Sequence, residues 1–252
     1  MATSLKTLML GAALATTIGP AAMAETQTEN VVAEARTYVY LTVPEDVVQS
    51  VLPEGWASTP TASGPATGAN VILLLVDRRL ALDPEGAPLG GGTNQLAVFA
   101  VPASSANDDE GLVIVGGYAA AGAPAAYGNY EPASVTLTRS SHTEDMVTNS
   151  EEEWTISAED GDTLSLSLSY EEATPTLSSF DQTVFSGATP DFYRMYRGSQ
   201  VVDVLESATE GVDRVDQFDL SASGGIAGTL IESAEVVAVS RFAHYTRSTF
   251  VP

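Results

Sequence analysis

The sequence predicts a mostly β fold, α+β at most: a single antiparallel β domain with one or two short helices. Segments of strand length, either apolar or alternating, recur along the chain between turns rich in Gly, Pro and Asp. Long amphipathic helical patterns and repeats of constant period are missing from the sequence. A length of 252 residues suits one domain of this class better than two.

Residues 1–24 have the anatomy of a secretory signal peptide. Lys6 provides the positive start, the segment Thr7–Ile18 is apolar, and the small residues Ala22 and Ala24 precede a cleavage site. The alternative, an uncleaved anchor, is disfavoured because the apolar run is about half of the roughly 20 residues that span a bilayer. We therefore expect a periplasmic or secreted protein with no membrane span after signal removal.

The next segments predict a leader, a strand and a short helix. Residues 25–35 are polar and acidic, which predicts a flexible leader, and residues 36–252 would form the single β-rich domain. Arg36–Val43 alternates between polar and apolar side chains and predicts a strand. Pro44 and two following acidic residues predict the start of a helix, which Pro53 ends.

Further along, local patterns predict strands and turns. The apolar run Val71–Val76 predicts a central strand that is buried on both faces. Gly161, between two aspartates, predicts a tight hairpin turn. Phe192–Tyr196, after Pro190, predicts a short helix or an aromatic plug, and residues 228–250 predict one or two closing strands.

The charge of the chain excludes two classes of partner. The formal net charge is −23, which repels nucleic acid phosphates and anionic lipid headgroups. We therefore expect no nucleic acid partner. The acidic residues are dispersed, which favours a role in solubility over divalent cation binding. Two acidic clusters, Asn107–Glu110 and the set Asp213, Asp216 and Asp219, do not have EF-hand spacing, and we expect no metal site.

The residue types also exclude several kinds of chemistry. The chain has no cysteine, and its only lysine lies in the predicted signal peptide. The mature chain would therefore lack thiol nucleophiles, disulfides and lysine Schiff bases. Two histidines cannot form a three-histidine metal site. No Gly-x-Ser-x-Gly motif occurs, and Gly116–Gly122 does not match a phosphate-binding loop. We expect no cofactor.

The segment Tyr38–Trp56, YVYLTVPEDVVQSVLPEGW, resembles the opening of the acetoacetate decarboxylase-like superfamily. In that family a strand leads into a helix that begins with Pro-Glu and is closed by Leu-Pro-Glu-Gly. The downstream order is also similar: an apolar strand with an acidic end (Val71–Asp77), a strand ending in Val-Pro (Ala97–Pro102) and a segment rich in Gly and Tyr (Gly116–Tyr130). The resemblance implies a β-barrel-like fold around an internal pocket for a small acidic or hydrophobic molecule.

The same resemblance implies a departure in chemistry. In the decarboxylases of that family a lysine forms a Schiff base with the keto acid. The comparable segment here, Tyr127–Pro132, contains no amine. The resemblance therefore implies the pocket without the lysine chemistry, and no catalytic residue is carried over.

Arginines are the best candidates for ligand binding, because a guanidinium can grip a carboxylate through two hydrogen bonds. Several lie beside aromatic or apolar residues: Arg36, Arg78, Arg79, Arg194, Arg197 and Arg241. The segment Tyr193, Arg194, Tyr196 and Arg197 combines cations with aromatic faces and is predicted to line the ligand pocket. On a helix Tyr193 and Arg197 would share a side, whereas on a strand Arg194 and Tyr196 would share a face. The alternative is that these arginines pair with surface acids.

His244 is the candidate catalytic residue, since a histidine that faces a pocket can act as a general acid or base near neutral pH. A half-buried structural histidine is the alternative.

Three functions remain open. The first is an exported acetoacetate decarboxylase-like domain that binds a small acidic or hydrophobic ligand. The second is a secreted lyase or hydrolase that uses His244 or a carboxylate. The third is a structural or interaction protein of the cell envelope.

Overall fold

The computed structural model of the protein describes residues 27–121 and 127–251. These residues form a 13-stranded sheet and two short helices, α1 (Glu45–Val51) and α2 (Gly225–Ile231). The strands, in chain order, are β1 (Gln27–Thr42), β2 (Trp56–Ser58), β3 (Val71–Leu82), β4 (Asn94–Ser105), β5 (Glu110–Ala119), β6 (Tyr130–Glu144), β7 (Val147–Ala158), β8 (Thr163–Glu171), β9 (Thr176–Ser186), β10 (Tyr193–Ser207), β11 (Val212–Asp213), β12 (Val215–Ser223) and β13 (Glu235–Val251).

Seven of the strands close into a ring, which we call the barrel. Its order is β1–β3–β4–β5–β9–β10–β13, and the pairing of β13 with β1 closes the ring. Closing the ring leaves these strands without free edges. All of its pairs are antiparallel except β5–β9, which is parallel. The predicted mostly β, barrel-like fold with two short helices is therefore confirmed, with parallel pairing as an addition.

Four other strands, β6, β7, β8 and β12, form an antiparallel layer that we call the side sheet. A short parallel pairing of β5 with β6 joins it to the barrel. The apolar core lies between the two layers and includes Leu73, Phe99, Trp154 and Leu166. The helices pack on this same core, with Val48 of α1 fully buried within it.

Strand β3 shows why the apolar run was correctly predicted to be a central strand. All six residues of Val71–Val76 are buried. Leu73 and Leu75 pack into the core between the layers, whereas Ile72 and Leu74 pack into a second cluster inside the barrel. Successive side chains of a strand point to opposite faces, so a strand with apolar surroundings on both faces is apolar throughout.

The predictions for α1 and for the hairpin turn are also confirmed. Pro44 caps α1, and the first turn of the helix carries Glu45 and Asp46. Gly161 lies between the paired strands β7 and β8 with a φ of 101°, a conformation that glycine adopts without strain.

The leader prediction is wrong for residues 27–35, which form the first half of β1. Val32 and Ala35 are buried, and β1 pairs with both β13 and β3 along this stretch. The segment looked solvated because Glu34 is charged. One of its two cationic partners, Arg78, is 44 residues away, so that ion pair cannot be seen in the local sequence.

The second helix was predicted in the wrong place. Tyr193–Ser207 is strand β10, which pairs with β9 and β13, so the prediction of a short helix over Phe192–Tyr196 is wrong. Aromatic residues fit a strand well when both neighbours are present. The second helix is α2, whose glycine-rich sequence obscured it and whose buried face consists of Ala227 and Leu230.

Neither helix is long and apolar enough to cross a membrane; this holds for the part of the chain that the structure describes. The predicted signal peptide, residues 1–24, lies outside the described residues.

Candidate ligand-binding cavity

The barrel encloses a cavity of about 770 Å³, and all seven barrel strands contribute to its lining. This volume lies within the roughly 300–1,000 Å³ that is typical of small-molecule sites. Pro60, Glu110 and Asp181 border the cavity and are exposed, so it is open to solvent. The pocket is therefore a solvent-connected chamber within the fold.

The cavity has two walls of different chemistry. Four neighbouring strands, β3, β4, β5 and β9, contribute what we call the apolar wall: Ile72, Leu74, Leu96, Val98, Leu112, Ile114 and Val184. The other three strands, β1, β13 and β10, contribute what we call the aromatic–cationic wall: Arg36, Tyr38, Tyr40, Tyr196, Phe242, Tyr245 and Arg247. Arg78 of β3 adds a third cation beside them.

Glu34 is the buried carboxylate that organises the cations. Its side chain is completely buried on β1, where it accepts hydrogen bonds from Arg36 Nε at 2.6 Å and from Arg78 Nε at 2.8 Å. Burial alone would raise the pKa of Glu34. The Arg36 and Arg78 guanidiniums, together with that of Arg247, instead hold that pKa well below its usual value. Glu34 is therefore ionised at neutral pH and neutralises one of the three cations.

Arg36 is fixed in place by its neighbours. Besides its contact with Glu34, it donates a hydrogen bond from Nη1 to the hydroxyl of Tyr38 at 2.6 Å. Its guanidinium carbon lies 3.5 Å from the ring centroid of Tyr245, in a cation–π contact. Arg36 is therefore held by three partners.

Arg247 is held less completely. It is buried on β13, its guanidinium carbon lies 3.8 Å from the ring centroid of Tyr196, and Nη1 donates to the hydroxyl of Thr249. Its Nε has no hydrogen-bond partner among the described residues. None of the carboxylates in 27–121 and 127–251 forms an ion pair with it. Buried polar groups are nearly always hydrogen-bonded, so this Nε is an unused donor in the lining of the cavity.

Buried phenols complete the polar part of the cavity. The hydroxyls of Tyr127 and Tyr196 are hydrogen-bonded to each other. Burial, and then the neighbouring Tyr196, raise the pKa of Tyr127 well above its usual value. Burial likewise raises the pKa of Tyr130. At neutral pH the hydroxyls of Tyr127 and Tyr130 therefore remain protonated and can donate hydrogen bonds.

A second buried carboxylate, Glu152 on β7, has a structural role. Arg241 Nε lies 2.6 Å and Arg139 Nε 2.9 Å from its Oε1, and Thr37 Oγ1 donates to its Oε2 at 2.7 Å. Thr37 and Arg241 belong to the barrel, whereas Arg139 and Glu152 belong to the side sheet. The carboxylate is satisfied by these partners and ties the two layers together.

The predicted site residues occupy different environments. Tyr196 lines the cavity. Arg194 pairs with Glu29 and lies over the rings of Phe192 and Tyr127, outside the cavity lining. Arg197 is exposed and pairs with Asp181 at 2.9 Å. Tyr193 packs beside Phe185, with ring centroids 5.5 Å apart, against the core between the layers.

His244 is exposed on β13 and is not part of the cavity lining, so no cavity geometry supports its use as an acid or base.

Of the arginines considered from the sequence, Arg36 and Arg78 do line the cavity, but Arg247 and Glu34 were missed. The alternation Glu34, Arg36, Tyr38 along one strand face was the available signal.

Acidic residues outside the cavity were also considered as metal ligands. The clusters at 107–110 and at Asp213, Asp216 and Asp219 are exposed. In contrast, Glu131, Asp160 and Asp162 have carboxylate oxygens within 4.8 Å of one another. Partial burial, followed by repulsion from Asp160 and Asp162, raises the pKa of Glu131.

No protein-family model matches this sequence, and no curated protein matches it. Solved structures do match its fold. An acetoacetate decarboxylase-like enzyme from Sphingomonas wittichii RW1 superposes with a TM-score of 0.54 at 12% identity, covering 89% of this chain and 91% of that one. The fold is that of acetoacetate decarboxylase-like enzymes.

A second match is the enduracididine biosynthesis enzyme MppR. Its structure complexed with pyruvate superposes with a TM-score of 0.52 at 11% identity, covering 96% of this chain and 95% of that one. A further MppR structure, complexed with the condensation product of pyruvate and imidazole 4-carboxaldehyde, gives a TM-score of 0.54 at 11% identity, covering 90% of this chain and 88% of that one. The fold that the resemblance of Tyr38–Trp56 implies is thus confirmed.

Proposed function

We propose that this protein is an exported acetoacetate decarboxylase-like domain that binds an organic acid in the barrel cavity, without lysine Schiff-base chemistry. The observation that carries the proposal is Arg247, a buried cation in the cavity lining whose Nε has no hydrogen-bond partner among the described residues. A ligand carboxylate is the group that satisfies both its charge and its donor.

The charge balance of the cavity supports this proposal. Arg36, Arg78 and Arg247 line it, and Glu34 is the buried carboxylate beside them. A protein with a formal net charge of −23 therefore has a locally cationic interior. Because Arg36 and Arg247 are buried, their attraction for an anion is stronger than that of arginines at the surface. MppR, which has a similar fold, is described in complex with pyruvate, and pyruvate is an organic acid.

Calorimetric titration with pyruvate and with benzoate tests the proposal. Arg247→Met keeps an unbranched side chain but removes the guanidinium and its charge, and is expected to weaken binding of both acids about tenfold or more. Arg79→Met is the matched control, because Arg79 is exposed and pairs with Asp77, and neither residue belongs to the cavity lining. It is expected to change affinity less than twofold. Unchanged affinity in Arg247→Met, with thermal unfolding showing a folded protein, would reject the proposal.

The absence of Schiff-base chemistry has its own test. Incubation of the exported protein with pyruvate and borohydride is expected to leave every side chain unmodified, since the only lysine lies in the predicted signal peptide. Peptide mass spectrometry should find no reduced pyruvate adduct on a side chain. N-terminal sequencing of the same sample is expected to begin at Glu25, and a start at Met1 would contradict export with cleavage.

A further inference from the structure

The size of the cavity exceeds what a small acid needs. At about 770 Å³ it lies in the upper half of the range that holds drug-sized ligands. An acid of six non-hydrogen atoms, such as pyruvate, would contact Arg247 and leave most of the apolar wall against water. Covering that wall with an apolar group is favourable, because apolar surface is removed from water.

The aromatic rings of the aromatic–cationic wall are clustered, so this wall can pack against a planar group of a ligand. The rings of Tyr38 and Phe242 have centroids 4.3 Å apart, and those of Tyr38 and Tyr40 are 5.9 Å apart. Phe180 and Tyr245 stack at 4.8 Å beside them. Aromatic rings prefer offset or edge-to-face neighbours at these distances, so another ring extends the arrangement favourably.

The two walls face a common space, and the cations lie on one side of it. The strand pairing places Leu74 opposite Tyr38 and Ile72 opposite Tyr40, while Arg78 is opposite Glu34. From Arg36 to Tyr38, both in the cavity lining, the strand advances two residues, about 7 Å. The cavity therefore offers a cationic region and an apolar–aromatic region within the length of one extended ligand.

We propose that the ligand is an aryl-bearing monocarboxylic acid, with its carboxylate on Arg247 and its ring between the apolar wall and the aromatic residues. This inference rests on the proposed function and adds the chemical class of the ligand. A single carboxylate suits the site, because Glu34 already pairs with Arg36 and Arg78. A neutral aromatic compound would leave the charge of Arg247 without a counterion.

Calorimetry with three probes tests the inference: pyruvate, 3-phenylpropanoate and its neutral analogue 3-phenylpropanamide. The acid with the ring is expected to bind at least about tenfold more tightly than pyruvate, because its ring covers the apolar wall. It is also expected to bind at least about tenfold more tightly than the amide, which lacks the charge.

A pair of variants separates the contribution of the apolar wall to binding from the contribution of the cations. Leu112→Gln places a polar group on the apolar wall at a half-buried position. It is expected to weaken binding of 3-phenylpropanoate about fivefold or more and to leave pyruvate binding unchanged. Leu177→Gln, at a side chain that is 73% exposed, is the matched control and should alter neither affinity.

The outcomes distinguish this inference from the proposed function. If pyruvate binds as tightly as 3-phenylpropanoate, and Arg247→Met weakens both, the aryl class is rejected and acid binding stands. If 3-phenylpropanamide binds as tightly as the acid, the carboxylate has no role and both proposals fail. An equal loss of affinity for pyruvate and for 3-phenylpropanoate in Leu112→Gln would also overturn the assignment of the ring to the apolar wall.

Discussion

Glu34 and Arg247 have contrasting roles although both are buried in the same barrel. The carboxylate of Glu34 is bound by two guanidiniums, whereas the Nε of Arg247 has no hydrogen-bond partner among the described residues. The first arrangement stabilises the folded protein once it has formed. The second leaves a cation whose partner must come from outside the described residues. We expect substitutions at the two positions to separate stability from binding.

Glu34→Gln tests the stabilising role through its pH dependence. The pKa of Glu34 is lowered in the folded state, mainly because Arg36 and Arg78 outweigh the opposing effect of burial. A lowered pKa means that the stabilisation is present above the unfolded value of 4.5 and is lost as the pH falls towards the folded value. At pH 7 we expect Glu34→Gln to lower the free energy of unfolding by about 3–5 kcal/mol.

The measurement is urea unfolding of both proteins between pH 7 and pH 3. The difference between wild type and Glu34→Gln is expected to narrow below about pH 4.5, the unfolded pKa of the carboxyl. A difference that stays constant over this range would show that the charge of Glu34 does not stabilise the fold.

At the scale of elements, β1 is the strand on which the cavity depends. It supplies Arg36, Tyr38 and Tyr40 to the lining, and it lies between β13 and β3 in the barrel. Its first half includes residues that a local interpretation assigns to a leader. The pairing of Val31–Ala33 with both neighbours shows that this half is a central part of the ring.

Ala33→Pro tests the role of this half of β1. A proline in a central strand removes a hydrogen bond of the ladder, so we expect a loss of about 3 kcal/mol or more in unfolding free energy. Ser63→Pro, in an exposed loop, is the control and should change stability by less than about 1 kcal/mol. Equal urea midpoints for Ala33→Pro and wild type would mean that residues 27–35 are dispensable, as a leader would be.

The individual strands and helices also show which parts of the fold can be predicted from the sequence. The strand Val71–Val76, the helix after Pro44 and the hairpin at Gly161 follow from patterns within a few residues, and each was predicted correctly. The closure of the barrel depends on β1 pairing with β13 and on β5 pairing with β9. These contacts join distant segments, and no local pattern specifies them.

The same limit applies to the cavity. Arg36 and Arg78 stood out as arginines beside apolar or aromatic residues, but only the closed barrel brings them together with Arg247. Tyr196 was among the residues predicted to bind a ligand, and it lines the cavity. Tyr193, Arg194 and Arg197 share its segment but lie outside the lining. Because β10 alternates, Tyr193 and Arg197 point to the face opposite Tyr196. Arg194 shares the face of Tyr196 but pairs with Glu29, outside the lining.

For the molecule as a whole, Glu152 joins the side sheet to the barrel. Glu152→Gln leaves the buried Arg241 with an uncompensated charge, whereas Arg139 keeps its ion pair with Asp77, so we expect a loss of about 3 kcal/mol or more in unfolding free energy. Acid binding, measured by calorimetry well below the melting temperature, should change less than twofold because Glu152 is not in the cavity lining. Loss of binding with unchanged stability would reverse the roles assigned to the two buried carboxylates.

The central claim is that an acid binds inside the barrel through Arg247. A crystal structure of the protein with 3-(4-bromophenyl)propanoate tests it most directly, because the anomalous signal of bromine locates the ring. We predict one strong bromine peak between the apolar wall and Tyr38, with a carboxylate oxygen about 2.7–3.2 Å from the Nε of Arg247. Bromine peaks found only on the outer surface, with the barrel cavity free of ligand density, would contradict the claim.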